Sequence, residues 1–124
     1  GWRMTRGPIV QTEVEQLMAV LGRELEEGTE QYAKIAEERA VAEADYKERY
    51  HTALVRQADT QYDHGIKFTA SQKEARAALI AKEELRRFKL LEAREKAAQQ
   101  FLISIRARLD SLRTMAANVR ASGG

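Results

Sequence analysis

The side chains that could take part in chemistry are mostly carboxylates, with two histidines and no cysteine. Neither histidine has the helical spacing of a metal-ligand pair, and a zinc site would need at least three protein ligands. A di-metal carboxylate bundle would need inward Glu-x-x-His pairs, which the sequence lacks. It also lacks a phosphate-binding loop and a nucleophile elbow. We therefore expect a protein that is not an enzyme and that uses no metal, no other cofactor and no small-molecule substrate.

Three tyrosines, Tyr32, Tyr46 and Tyr50, lie on or beside an apolar helical stripe where leucine is more usual. The simpler interpretation is a partly buried ring whose hydroxyl reaches the edge of a helix bundle. The alternative is an aromatic patch for a partner or for stacking on bases.

Charge divides the chain into an acidic part and a basic part. Residues 13–50 contain eleven acidic and five basic residues, whereas residues 51–124 contain eight acidic and fourteen basic residues. A basic stripe on a helix can follow a phosphate backbone, but the acidic part could equally neutralise it. The candidates for nucleic-acid contacts are the arginines near the end, where acids are few: Arg106, Arg108, Arg113 and Arg120.

A long second helix, over residues 70–120, would carry these arginines. Between Leu85 and Val119 the apolar residues recur at steps of three and four, with no proline or glycine. Two overlapping capping boxes, Thr69 with Gln72 and Ser71 with Glu74, mark its start.

A first helix is predicted over residues 12–58, beginning with a capping box formed by Thr12 and Glu15. Its apolar positions follow a heptad in which Arg39 takes one seam position. Gly28 also lies on the seam, and we expect it to let a large facing side chain approach closely.

Residues 59–69 are predicted to be a loop in which Gly65 adopts the left-handed conformation and Ile66 and Phe68 close the end of the structure. So short a connection forces the two helices to run antiparallel. We therefore predict an all-α fold, a long antiparallel helical hairpin or coiled coil, as one domain over residues 12–121. Residues 1–11 are expected to be a disordered N-terminal segment, with Gly1 to Arg3 left from cloning, and residues 121–124 a flexible tail.

The second helix has more apolar residues than a single seam requires, which predicts a second contact surface. The simplest assembly is a homodimer of hairpins that forms a four-helix bundle. The residues assigned to the dimer or partner interface are Phe88, Leu91, Phe101, Leu102, Ile105, Leu109 and Leu112.

Three stretches resemble small coiled-coil proteins encoded by bacteriophages of actinobacteria: Glu43 to Tyr50, Thr69 to Ala77, and Leu109 to Arg120. The resemblance implies a phage protein that acts in the host cytoplasm, in a group generally without assigned function. It suggests an accessory role beside phage recombination or replication, and no catalytic residue carries over.

The sequence favours a non-enzymatic adaptor that binds a host or phage protein along its helical faces. One alternative is a nucleic-acid-binding accessory that uses the basic second helix, and another is a virion assembly or scaffolding factor. No apolar run is long enough to span a membrane, so we expect a cytoplasmic protein without a membrane partner.

Overall fold

A computed structural model describes residues 11–59, 62–63 and 66–123 of the chain. It contains α1 (Gln11–Asp59), β1 (Tyr62–Asp63), β2 (Ile66–Lys67), α2 (Ala70–Ile80) and α3 (Lys82–Ala121). The predicted all-α class is confirmed, since the two strands have two residues each. The N-terminal segment lies outside the described residues except for Gln11, which belongs to α1, and α3 extends one residue past the predicted end at residue 120.

The predicted capping box at Thr12 is wrong, because Thr12 lies inside α1. The Glu15 carboxylate accepts a hydrogen bond of 3.0 Å from the Gln11 side-chain amide instead of reaching back to a cap. Residues four positions apart face each other on a helix, which makes this pair an alternative to the capping box.

The predicted loop over residues 59–69 contains a small antiparallel ladder that sequence analysis did not predict. Tyr62 pairs with Lys67, and Asp63 pairs with Ile66. Two residues separate the strands, which is the commonest length of a β-hairpin connection. Those two residues include Gly65, so its predicted conformation lies outside the described residues, as does the side chain of Ile66.

The start of α2 follows the first of the two predicted capping boxes. The Thr69 hydroxyl accepts a 3.1 Å hydrogen bond from the Gln72 backbone N–H, and the Gln72 side chain accepts one of 2.9 Å from the Thr69 N–H. The predicted helix is interrupted at Ala81, whose φ of −95° and ψ of 11° depart from helical values. Hydrogen bonds from Ala81 N–H to Ala77 and from Leu85 N–H to Ala81 continue across the break.

Two compact units divide the described chain. Unit 1 comprises the chain up to Tyr32 together with the chain from Ala97 onward, and unit 2 comprises Ala33–Lys96. In unit 1, Val14 of α1 packs with Leu112 and Ala116 of α3, and Met18, Leu21 and Met115 surround this cluster. Fourteen residues further along α1, Gly28 lies against Phe101 and Leu102. The two helix segments of unit 1 therefore run in opposite directions.

Gly28 confirms the predicted close approach in unit 1. A Cβ atom added at this position would lie 2.9 Å from Leu102 Cδ2 and 3.2 Å from Phe101 Cε2. By contrast, a Cβ added at Gly22 would have no atom within 4 Å. The absence of a side chain at Gly28 thus makes room for two large side chains of α3.

Unit 2 has an aromatic core. Ala42 of α1 packs with Phe88 and Leu91 of α3, with Tyr46 and Leu85 alongside. The Tyr46 and Phe88 rings stack with their centroids 6.2 Å apart and an angle of 19° between their planes.

Ala77 of α2 and Ala53 of α1 are buried as well, which extends the seam of unit 2 past the break at Ala81.

Candidate protein-interaction face

The residues assigned to a dimer or partner interface mostly lie inside the chain's own seam. Six of the seven are buried: Phe88, Leu91, Leu102, Ile105, Leu109 and Leu112. Phe101 differs, with 47% of its surface exposed. The six buried side chains already contact this chain, so the surface open to a partner has to be sought beside the seam. Their spacing alone could not distinguish a partner in the same chain from a partner in another.

The buried residues define the heptad register of each helix. In α3 the a and d positions include Leu102, Ile105, Leu109 and Leu112. In α1, Val14 is a d position, and its partly buried neighbour Met18 is an a position. This register places every other residue of the two helices on a definite side of the seam.

An apolar groove lies beside the seam of unit 1. Its volume is about 380 Å³, and both helices line it: Leu17, Val20 and Leu21 from α1, and Arg108, Ser111 and Leu112 from α3. Leu17 and Val20 are 47% and 42% exposed, so much of their apolar surface meets solvent. Contiguous exposed apolar surface of this kind marks an interaction site more often than scattered single residues do.

We call this surface the outer apolar face and define it by Leu17, Val20, Phe101, Arg108 and Ser111. Leu17 and Arg108 occupy g positions and line the same groove. Phe101 lies one heptad before Arg108, so its half-exposed ring belongs to the same side of α3. Sequence analysis missed Leu17 and Val20 because they flank the seam residues Met18 and Leu21. The available signal was an apolar residue beside the seam, at g for Leu17 and at c for Val20.

Two charged residues at the outer apolar face, Arg108 and Glu24, form no ion pair within the described part of the chain. Arg108 lines the groove, and no ion pair among the described residues includes it. Glu24 is a g residue of α1, on the same side as Leu17, and it too is outside these ion pairs. The face thus combines exposed apolar area with one available cation and one available anion.

The four arginines proposed for nucleic-acid contacts are all exposed, but they do not share one surface. Arg106, Arg113 and Arg120 recur every seven residues, which places them on one side of α3 at e positions. Arg108 lies on the other side, at the outer apolar face. Arg113 forms an ion pair of 2.8 Å with Asp110, whereas Arg106 borders a hollow lined by Thr29, Tyr32, Gln99, Leu102 and Ile103.

In unit 2 the seam contains a charged pair in place of two apolar side chains. The Arg39 Nε donates to both carboxylate oxygens of Glu95 at 3.2 Å, and Arg39 Nη1 donates to Glu43 at 3.0 Å. Lys47 lies 2.9 Å from the second oxygen of Glu43. Arg39 and Glu95 keep only 27% and 21% of their side-chain surface exposed.

These interactions shift the pKa values of Arg39 and Glu43. The hydrogen bond to Glu95 raises the pKa of Arg39 above its ordinary value. For Glu43 the pKa is lowered, mainly by the hydrogen bond from Lys47 and further by Arg39. Both shifts favour the charged forms of Arg39 and Glu43, which strengthens the ion pairs of Arg39 with Glu43 on the same helix and with Glu95 on α3.

The tyrosines follow the simpler of the two interpretations where the structure gives their contacts. Tyr46 is half-buried and stacks on Phe88, with the Tyr50 ring 6.0 Å away. The Tyr50 ring in turn meets His51 edge to face, with their centroids 5.4 Å apart. Tyr32 differs, since it borders the hollow beside Arg106.

No group of three or more metal-ligating side chains is found among the residues that the structure describes, a region that does not include His64. In the same residues, no helix has a stretch that is long and apolar enough to cross a membrane. Four charged residues and one threonine border a hollow in unit 2, in contrast to the groove in unit 1: Asp45, Glu48, Arg49, Glu84 and Thr52.

Comparison with known proteins gives no relative: the chain matches no protein-family model, and no curated protein and no solved structure matches it significantly.

Proposed function

We propose that this protein is a non-enzymatic interaction protein, an adaptor that holds a partner protein on the outer apolar face. The observation that carries the proposal is the exposure of Leu17, Val20 and Phe101 beside a seam that is already filled. An isolated helix pair needs apolar residues only at a and d, whereas helices with a further partner also carry them at e or g. The exposed half of each of Leu17, Val20 and Phe101 is apolar surface that packing within the chain leaves uncovered.

The proposal retains the long antiparallel helical hairpin predicted from the sequence, and its dimerisation. The order of contacts within unit 2 supports the hairpin. Arg39 of α1 contacts Glu95 of α3, whereas Tyr46, seven residues further along α1, contacts Phe88, seven residues nearer the start of α3. The resemblance at Glu43–Tyr50 and Leu109–Arg120 supports a phage-encoded protein that acts on a host or phage protein in the bacterial cytoplasm.

Site-specific photo-crosslinking tests the adaptor function. A benzophenone amino acid placed at Val20 should capture a protein, whereas the same residue at Val41 should not. Val41 is a matched control, since it is also an exposed valine of α1 and lies three heptads further on at the same c position. Equal capture at the two positions, or none at Val20, would refute the assignment of the outer apolar face as the binding surface.

A second candidate is nucleic-acid binding, which the row formed by Arg106, Arg113 and Arg120 favours. Phosphate contacts make affinity fall with salt, with a slope of about −0.9 per contact on a logarithmic plot. Replacing all three arginines by glutamine should therefore reduce the salt slope of DNA binding by about 3.

The matched control for this measurement replaces Arg86, Arg87 and Arg94 by glutamine, because the net charge changes equally while the row stays intact. If the two triple variants bind DNA with the same slope, the row is not the contact surface. If the unaltered chain fails to bind single-stranded and duplex DNA at low salt, this function is excluded.

A further inference from the structure

We infer that the partner on the outer apolar face is a second copy of this chain, docked with the acidic α1 segment of each copy beside the basic α3 segment of the other. This inference rests on the proposed function, since it names the partner of the same surface. Three properties of the face support it: its width, its charge and the small residues on its α3 side.

The width of the face indicates a pair of helices as the partner. Leu17 and Val20 of α1 line the groove together with Arg108 and Ser111 of α3. Phe101 lies one heptad from Arg108 on the same side of α3, so both helices contribute to the face. A single helix would cover only the groove between them, whereas a second helix pair would also cover the half-exposed Phe101. Two pairs packed in this way make a four-helix bundle, in which each helix needs a third apolar position per heptad.

The charge of the face indicates that this pair is identical to the first. Within unit 1, residues 11–32 contain six glutamates and one arginine, whereas residues 97–123 contain four arginines and one aspartate. In a two-fold interface the same patch meets itself, so each copy's acidic segment can face the other's basic segment in both halves of the contact. A face with both signs, such as Glu24 on α1 and Arg108 on α3, is complementary to itself.

Small side chains on the α3 side of the face would let the second copy approach closely. Ser111 lines the groove, and Ser104 and Ala97 lie one and two heptads before it at the same c position of α3. In the proposed arrangement these small residues of one copy leave space for the larger Leu17 and Val20 of the other copy's α1.

Measuring the mass of the full chain by sedimentation equilibrium tests the inference. The unaltered chain should have twice its monomer mass of 14.1 kDa at high concentration. Val20→Glu should weaken self-association by about tenfold or more, because it buries an unpaired charge. Val41→Glu introduces the same charge at an equivalent position outside the face and should leave the mass unchanged. Helix content, measured by circular dichroism, should be the same for all three proteins.

Charge exchange tests the predicted arrangement of the two copies. Arg108→Glu and Glu24→Arg should each weaken self-association, and a mixture of the two variants should form a heterodimer. In the heterodimer, one contact pairs the native Glu24 with the native Arg108, and the other pairs the two substituted residues with their signs exchanged. In a homodimer of either variant, like charges meet at both contacts. If the mixture associates no better than either variant alone, the α1-to-α3 arrangement is wrong.

The crosslinking experiment separates this inference from the proposed function. A product at Val20 that joins two copies of the chain supports the second-copy inference and the assignment of the outer apolar face as a binding surface. If Val20 captures a different protein while the chain remains a monomer, the second-copy inference is wrong but the adaptor function stands. If Val20 captures nothing and the chain is a monomer at all concentrations, both fail.

Discussion

The two units contrast in what occupies the interface between their helix segments. In unit 1 the seam positions from Val14 to Tyr32 and from Ala98 to Val119 hold apolar residues, glycine and one tyrosine. In unit 2 the seam holds the charged pair of Arg39 and Glu95. The difference extends to the surface, since a mainly apolar groove lies in unit 1 and a hollow bordered by charged residues lies in unit 2.

This contrast suggests that the units have different tasks. An apolar seam tolerates a shift by one heptad more readily, because most residues find an apolar neighbour after the shift and only specific fits, such as that at Gly28, are lost. A charged pair inside the seam does not, because a shift would leave each charge without its partner in a partly buried site. We therefore expect unit 2 to set the pairing register, and unit 1 to supply apolar contact area inside and outside the seam.

The largest expected effect concerns the seam of unit 1. Two isoleucines of α3, two residues apart, differ there because one is buried in the seam and the other is half exposed. Ile105 is 1% exposed and Ile103 is 50% exposed. Ile105→Ala should lower the free energy of unfolding by about 2–5 kcal/mol, since it leaves a cavity. Ile103→Ala should change it by about 0.5 kcal/mol or less. Urea denaturation measures both, and similar losses would show that the assigned register of α3 is incorrect.

A smaller effect is expected in unit 2, where a double-mutant cycle can isolate the charged pair. Arg39→Leu and Glu95→Leu should each destabilise the fold, because Glu95 would lose its ion-pair partner and Arg39 would keep only Glu43. The double variant should be more stable than either single variant, and close to the unaltered chain. The pairing of its helices should be less specific. Cysteines introduced at Ala42 and Leu91 should therefore crosslink to each other in a smaller fraction of molecules than in the unaltered background. Additive losses in the cycle would show that the pair does not couple the helices.

The two glycines of α1 within unit 1 give the third test. Alanine is about 1 kcal/mol more favourable than glycine inside a helix. Gly22→Ala should gain about this amount, because nothing lies within 4 Å of the added Cβ. Gly28→Ala should gain less or lose stability, because Leu102 and Phe101 must move. Equal gains at both positions would mean that the close approach at Gly28 does not form.

The sequence predicted the parts of the fold that depend on local patterns. Heptad spacing predicted both long helices, and the seam position of Gly28 predicted the close contact with α3. Thr69 was predicted as an N-cap because Gln72 follows it three residues later. In this capping box each of the two side chains accepts a hydrogen bond from the backbone N–H of the other residue. These features follow from residues within a few positions of one another, or from a repeat that continues over many turns.

The rest depended on tertiary contacts that spacing does not reveal. The apolar residues from Phe88 to Leu112 were assigned to a partner, yet six of the seven are buried within the chain. The interruption at Ala81 had no proline or glycine to mark it, and the short ladder between Tyr62 and Lys67 lay in a stretch without periodicity. Of the outer apolar face, only Phe101 and Arg108 were among the assigned residues, because Leu17 and Val20 do not repeat along α1.

The smallest expected effect is the pH dependence that Glu43 gives to unit 2. Because Lys47 and Arg39 lower its pKa in the folded state, folding favours the ionised carboxylate. The contribution is therefore fully present above the unfolded pKa of about 4.3 and is lost as the pH falls through the lower folded pKa. Glu43→Gln should be slightly less stable than the unaltered chain at pH 7, and the difference should shrink as the pH falls from about 5 toward 2. Urea denaturation at both ends of this range measures the difference in unfolding free energy. Glu48→Gln on the same helix is the control, since no ion pair among the described residues involves Glu48. A difference that is constant with pH would mean that it does not come from the charge of Glu43, so that unit 2 would owe its register to the Arg39–Glu95 contact alone.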